Sequence, residues 1–201
     1  MTTVTMEKLR EMAEEAKEEL YRLNGGDCPK IYLHWTAGHY WQAFSDYHIN
    51  ILGDGEMMSD CDGLDECLPH TWMRNTGAIG ISLCCCVGAT TEDLGDEPPT
   101  DTQIDKMAKA CAVLCQVLDI PPDIDYVMTH GEAADNADGD NEYYDDEDCY
   151  GPVNGCERWD LQYLGTEESP EFTTDYEDER TGGNVLRRKI QEYLDVLYEG
   201  E

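Results

Sequence analysis

Basic side chains are scarce in this sequence: 13 Lys and Arg stand against 45 Asp and Glu over 201 residues, a formal net charge of −32. A nucleic-acid surface needs a basic patch to neutralise phosphates, so that partner class is excluded. Anionic lipid head groups are excluded on the same ground. No apolar run approaches the roughly 20 residues of a membrane span, and the N-terminal MTTVTMEKLREMAEEAKEEL has no apolar signal-peptide core. The chain is therefore expected to be made in a cytoplasm without a signal peptide. The ten cysteines contain no CxxC pair, so a four-cysteine zinc site has no support. They do not read as a disulfide framework either. Cys84, Cys85 and Cys86 are consecutive, and Cys111 and Cys115 lie one helical turn apart in an apolar stripe. Small buried hydrophobes in a reduced protein explain them.

What is present suits one compact domain with a core large enough to need no staple. The acidity has two readings: excess carboxylate keeps a protein soluble and monomeric, or the protein works in concentrated salt, where screening removes self-repulsion. A monomer is expected on either.

Leu9, Met12, Ala13, Ala16 and Leu20 recur at helical spacing, which predicts a helix over about 6–23, ended by Asn24-Gly25-Gly26. Residues 30–35 alternate as a strand, with Ile31, Leu33 and Trp35 on one face and Tyr32 and His34 on the other. Residues 47–52 read as a second strand, and Gly53-Asp54-Gly55 turns into a short return strand. Residues 79–87 are apolar or small on both faces, as in a central strand. Thr100 and Gln103 form a capping-box pattern before an apolar helix that Pro121-Pro122 ends. Residues 124–129 are a short strand candidate, and 135–148 an acidic loop without periodicity. A last helix follows Gly182-Gly183, capped by Asn184, with Leu186, Ile190, Tyr193, Leu194 and Leu197 on its buried face. Strands alternating with helices, interrupted by one hairpin, predict a single α/β domain over 1–201. Its mixed central sheet is flanked by helices.

Of five histidines, His34 and His130 lie at the ends of predicted strands, where ligands collect in α/β sheets. Two imidazoles so placed suit one zinc ion, with a carboxylate as third ligand and an open fourth position. Ordinary core histidines are the competing reading. His39 and His48 are read as structural. The 135–148 loop lacks the ligand spacing and fixed glycine of an EF-hand, so a solvated loop is the reading taken.

The segments IYLHWTAGH, DYHINILGDGEM, HTWMRNTGAIGISL, PPTDTQIDKMAKAC, VMTHGEAAD and ERWDLQYL follow one another from about residue 30 to 164. In that order they resemble the zinc-dependent N-acetylmuramoyl-L-alanine amidases of the amidase type 2 and peptidoglycan recognition protein family. Residues 165–201 are then a C-terminal extension carrying the last helix. The resemblance implies one zinc per chain, held by His34, His130 and Asp160, with Asp135, Cys149 and Cys156 as rivals for the third place. It puts Tyr47 near the metal, with a packed aromatic as the alternative, and sets Arg158 where the family has a lysine. His70 and Asn75 match a pair that lines the substrate groove, and Trp35 beside His34 is taken as a further substrate contact. His70 is equally read as a hydrogen-bonding loop histidine. Two departures stand out. Ser82 occupies a position where some members carry a catalytic glutamate, so it is no general base. Arg158 keeps the lysine's charge but does not readily release a proton.

The implied activity is hydrolysis of the amide between the lactyl group of N-acetylmuramic acid and L-alanine of the stem peptide, with Tyr47 or Arg158 as oxyanion donor. The implied partner is bacterial peptidoglycan or a muropeptide. Together with the missing signal peptide, it points to a phage or prophage lysin acting at the cell wall after membrane breach. Two other classes compete: a non-catalytic peptidoglycan-binding module, and a cysteine-rich metal-sequestering protein. Because Gram-positive walls are polyanionic, this chain should be repelled from them at low salt.

Overall fold

The alternation along Lys30–Trp35 sets the architecture. In the computed structural model, which describes residues 1–140 and 150–199, this segment is strand β2. It follows β1 (Thr2–Thr3) and helix α1 (Met6–Leu23). After it come β3 (Ile49–Ile51), β4 (Met57–Ser59), β5 (Ala78–Leu83) and helix α2 (Asp101–Leu118). The chain continues with β6 (Val127–Thr129), the short α3 (His130–Ala134) and α4 (Gly182–Glu199). The described strands form one mixed sheet in the order β1-β4-β3-β5-β2-β6. Strands β3, β5, β2 and β6 run parallel, while the β3–β4 hairpin and the β1–β4 edge are antiparallel.

Sheet parity separates core from site. Ile31 and Leu33 of β2, Ile79 and Ile81 of β5, and Ile49 and Ile51 of β3 are buried in the main core. That core also takes the apolar stripes of α1 and α2, and α2 packs against both α1 and α4. Burial of each such side chain contributes about 1.5–3 kcal/mol. Even-numbered positions point to the other face, where Tyr32, His34, Asn50 and Ser82 are buried without joining that cluster.

Local signals place the helices. Leu9, Met12, Ala13, Ala16 and Leu20 are the buried residues of α1, and Thr5 Oγ1 accepts from the Lys8 N–H at 3.1 Å. The predicted capping box starts α2, with Thr100 and Gln103 exchanging side-chain-to-backbone bonds of 3.1 Å. The spare Gln103 amide donates to Ile51 O and Cys84 O, tying α2 to the ends of β3 and β5.

Four expectations are corrected. Strand β5 stops at Leu83, short of Val87, because Cys86 takes a left-handed φ of 68°. Strand β6 starts at Val127, since Asp123 O accepts from the N–H groups of Tyr126 and Val127 in a turn. The cap of α4 is Thr181, whose Oγ1 accepts from the Asn184 N–H at 3.1 Å, while the Asn184 amide braces Tyr176 O and Asp178 O. The start of the acidic loop is not wholly solvated: the Asp138 side chain is buried and accepts from Lys30 and from both terminal nitrogens of Arg74 at 2.7–2.8 Å. The rest of that loop, with Cys149, lies outside the described residues. The nine described cysteines are all free thiols.

Candidate functional site

His34, the penultimate residue of β2, lies on the face away from the main core and is fully buried. Neighbouring β6 runs directly into α3, so His130 opens a helix at the same end of the sheet. Thr129 and Glu132 form a second capping box there, which fixes the turn bearing His130. Asp160 comes from the segment between α3 and α4. It approaches because Gly131 presents no Cβ, where one would lie 3.3 Å from the Trp159 Cα.

The donor atoms converge. His34 Nδ1 and His130 Nδ1 are 3.1 Å apart, and Asp160 Oδ2 is 3.5 Å from the first and 3.3 Å from the second. Among the described residues this is the group of His, Cys, Asp and Glu able to hold a metal ion. Burial pushes the His34 imidazole down to about 4, outweighing the raising effect of Asp160, so it is neutral at pH 7. Burial would raise Asp160, but hydrogen bonding and charge from His130 and His34 hold it below the usual carboxylate range. A neutral His34 imidazole, a second imidazole and an ionised carboxylate, with donor atoms within 3.5 Å of one another, are a donor set able to hold a divalent metal ion.

This triangle opens on a cleft of about 480 Å³ lined by Tyr47, His70, His130, Arg158, Trp159 and Asp160 among others. Tyr47 lies in the turn before β3, not in the strand. Its ring centroid is 5.0 Å from that of His34, and its hydroxyl is 3.5 Å from Trp35 O. Burial first, then Asp160 and Asp46, push its phenol well above the usual tyrosine value, so it remains a hydrogen-bond donor. Arg158 is half exposed on the cleft wall and pairs with Glu157 at 3.2 Å. Trp35 forms part of the wall but is mostly buried, edge-on to Trp159 with centroids 4.5 Å apart.

His70 is buried 5.3 Å from the His34 ring, and burial with the neighbouring imidazoles holds it down to about 2. Its Nδ1 lies 2.9 Å from Thr71 Oγ1, which lies 3.4 Å from His34 Nε2. Among the described residues its Nε2 is a buried polar atom without a partner. Asn75 does not line the cleft: its Oδ1 accepts from the N–H groups of His70 and Thr71, bracing the loop from within. His48 is structural, accepting from the Gly80 N–H and facing Glu66 O, and His39 pairs with Glu97. Ser82, the cross-strand neighbour of His34, donates to Asn50 Oδ1 at 3.1 Å.

The rivals for the third place stand elsewhere. Asp135 accepts from the Val153 N–H and the Tyr176 hydroxyl, and Cys156 is exposed with its thiol on Pro152 O. Sequence reasoning missed Thr71, which adjoins a singled-out histidine, and Trp159, which adjoins the proposed carboxylate ligand. Adjacency to those residues was the available signal.

Neither a curated protein nor a solved structure gives a significant match to the chain. A family model described as N-acetylmuramoyl-L-alanine amidase, amidase type 2, matches residues 24–149, which include both histidines of the triangle and end before Asp160. With more than half of its length inside that match, the chain belongs to the amidase type 2 family of peptidoglycan amidases.

Proposed function

We propose that the protein is a zinc-dependent amidase that hydrolyses the bond between the lactyl carbonyl of N-acetylmuramic acid and the L-alanine nitrogen, acting at the bacterial cell wall. The observation that carries the reading is the spacing of three donor atoms at 3.1, 3.3 and 3.5 Å. Tetrahedral zinc with bonds of about 2.0–2.1 Å separates its ligand atoms by about 3.3–3.4 Å. His34 Nδ1, His130 Nδ1 and Asp160 Oδ2 would hold the ion. When bound, zinc supplies Lewis acidity toward a carbonyl and lowers the pKa of water toward neutrality.

The chain's own groups divide the remaining work. A His34 whose Nδ1 lone pair is a ligand carries its proton on Nε2, which donates to Thr71 Oγ1. The Thr71 hydroxyl then donates to His70 Nδ1, which puts the proton of the His70 ring on its buried Nε2 and fixes the tautomers of both rings. The Tyr47 phenol, kept protonated by burial, donates to the amide oxygen as it gains negative charge. The Arg158 guanidinium on the cleft wall offers a positive charge to a stem-peptide carboxylate. Hydrolysis adds water across the amide, leaving a lactyl carboxylate and a free L-alanine amine.

Digestion of purified peptidoglycan with and without a zinc chelator tests this. Expected are new L-alanine amino termini that vanish with chelator, and no new reducing sugar ends. Absence of amino termini across several wall types, with muropeptide still bound, would replace the amidase by a binding module.

A further inference from the structure

Two of the three donor residues rest on one helix end outside the matched family region. Arg187 of α4 is buried, and its guanidinium brackets His130 in the chain. Nη1 donates to Val127 O at 2.9 Å, three residues before it. Nη1 and Nη2 donate to the Glu132 carboxylate at 2.8 and 2.7 Å, two residues after it. Glu132 also accepts from the Thr129 N–H at 2.8 Å, completing the cap of α3. Asn184 Oδ1 accepts from Nη2 at 2.7 Å and orients the fork.

The same helix end abuts the Asp160 segment. Gly182 N–H donates to Gln162 O at 3.0 Å, and a Cβ at Gly182 would fall 1.9 Å from Leu161 O. Leu161, directly after Asp160, has a left-handed φ of 59°, which a leucine adopts only when its surroundings enforce it. A Cβ at Gly183 would fall 2.2 Å from the Glu132 carboxylate, so this approach leaves no slack. His34, in contrast, is set by its place in the middle of the sheet.

We infer that the first turns of α4 are a positioning element of the metal site, Arg187 acting through Glu132 on His130, and Gly182 through the Leu161 backbone on Asp160. The inference rests on the reading of His34, His130 and Asp160 as metal ligands. Only arginine can hold Val127 O and both carboxylate oxygens with one planar fork. Partners behind metal ligands typically govern affinity by about 10–100-fold.

The test uses the full chain as native protein, E132Q/R187M, R187K and the surface control K189A. The double variant removes both charges together and so leaves no unpaired buried ion. Zinc affinity is measured by competition with a chromophoric chelator, the ligand field by the visible absorption of the cobalt(II) form, and folding by thermal unfolding. Expected is a folded double variant with about 10–100-fold weaker zinc binding and an altered cobalt band, R187K in between, and K189A as native. A folded double variant with zinc affinity within twofold of native and the native cobalt band overturns the inference. If the double variant does not fold, R187K decides: more than twofold weaker binding supports the inference, and binding within twofold overturns it. A native chain that binds neither ion overturns the metal-site reading itself, and this inference with it.

Discussion

Glu132 and Asp160 are both buried carboxylates beside the turn that carries His130, yet their surroundings differ in kind. Glu132 receives two bonds from Arg187 and one from the Thr129 N–H, so its charge is neutralised and its oxygens are occupied. Asp160 faces two imidazoles, of which His34 is neutral at pH 7, and the cleft. Burial of an uncompensated charge is costly. A chain that fully pairs one carboxylate and leaves the other among convergent nitrogen donors has used the first for architecture. The second is free to serve the proposed metal ion.

Breaking the Asp160 side should have the largest effect. Replacing His130→Ala should remove bound zinc, seen by metal analysis, and reduce amidase turnover to background while cooperative unfolding persists. Full activity in that variant would sink the site assignment. Breaking the Glu132 side acts on stability as well as on zinc affinity. R187M alone leaves a buried carboxylate unpaired, and should cost about 3–5 kcal/mol in urea unfolding. A loss below 1 kcal/mol would mean that the pair carries little structural weight.

Acid should sharpen the contrast. The unfolded His34 imidazole takes a proton near pH 6.5 and the folded one near 4, so the unfolded state binds more protons between those values. Stability of the metal-free protein should therefore fall as pH drops from 6.5 to 4, by about 3 kcal/mol from this group, and stay level above 6.5. His48 and His70 are shifted in the same direction and add to the fall. A flat profile between pH 7 and 4 would contradict the burial argument. The smallest effect is the gain from zinc: at one hundred times its Kd, zinc should add about 2.7 kcal/mol to the native protein and nothing to H130A. Equal gains in both would place the ion elsewhere.

Much of this was legible in sequence because it depends on neighbours in the chain. The period of α1, the capping box of α2 and the alternation that turns His34 from the core are set by residues within a few positions, and each matches its expected place. Boundaries read less well: the lengths of β5 and β6 and the cap of α4 depend on turns and on Thr181, whose roles periodicity does not encode. Asn75 was placed in the groove by resemblance, yet its oxygen is occupied by its own loop.

By itself the sequence determined the parity of the strands and the presence of histidines at two strand ends, since both follow from local geometry. Tertiary structure supplied the approach of Asp160 to both imidazoles, at 3.5 and 3.3 Å. The resemblance pointed to Asp160 with Asp135 and Cys156 as rivals, and the packed chain shows those two engaged elsewhere. It also decided that Arg187 should stand behind His130, 57 positions away in sequence. A ligand set is a matter of distances of about 3 Å between residues far apart in the chain, and those distances exist only after the sheet, α3 and α4 have closed on one another.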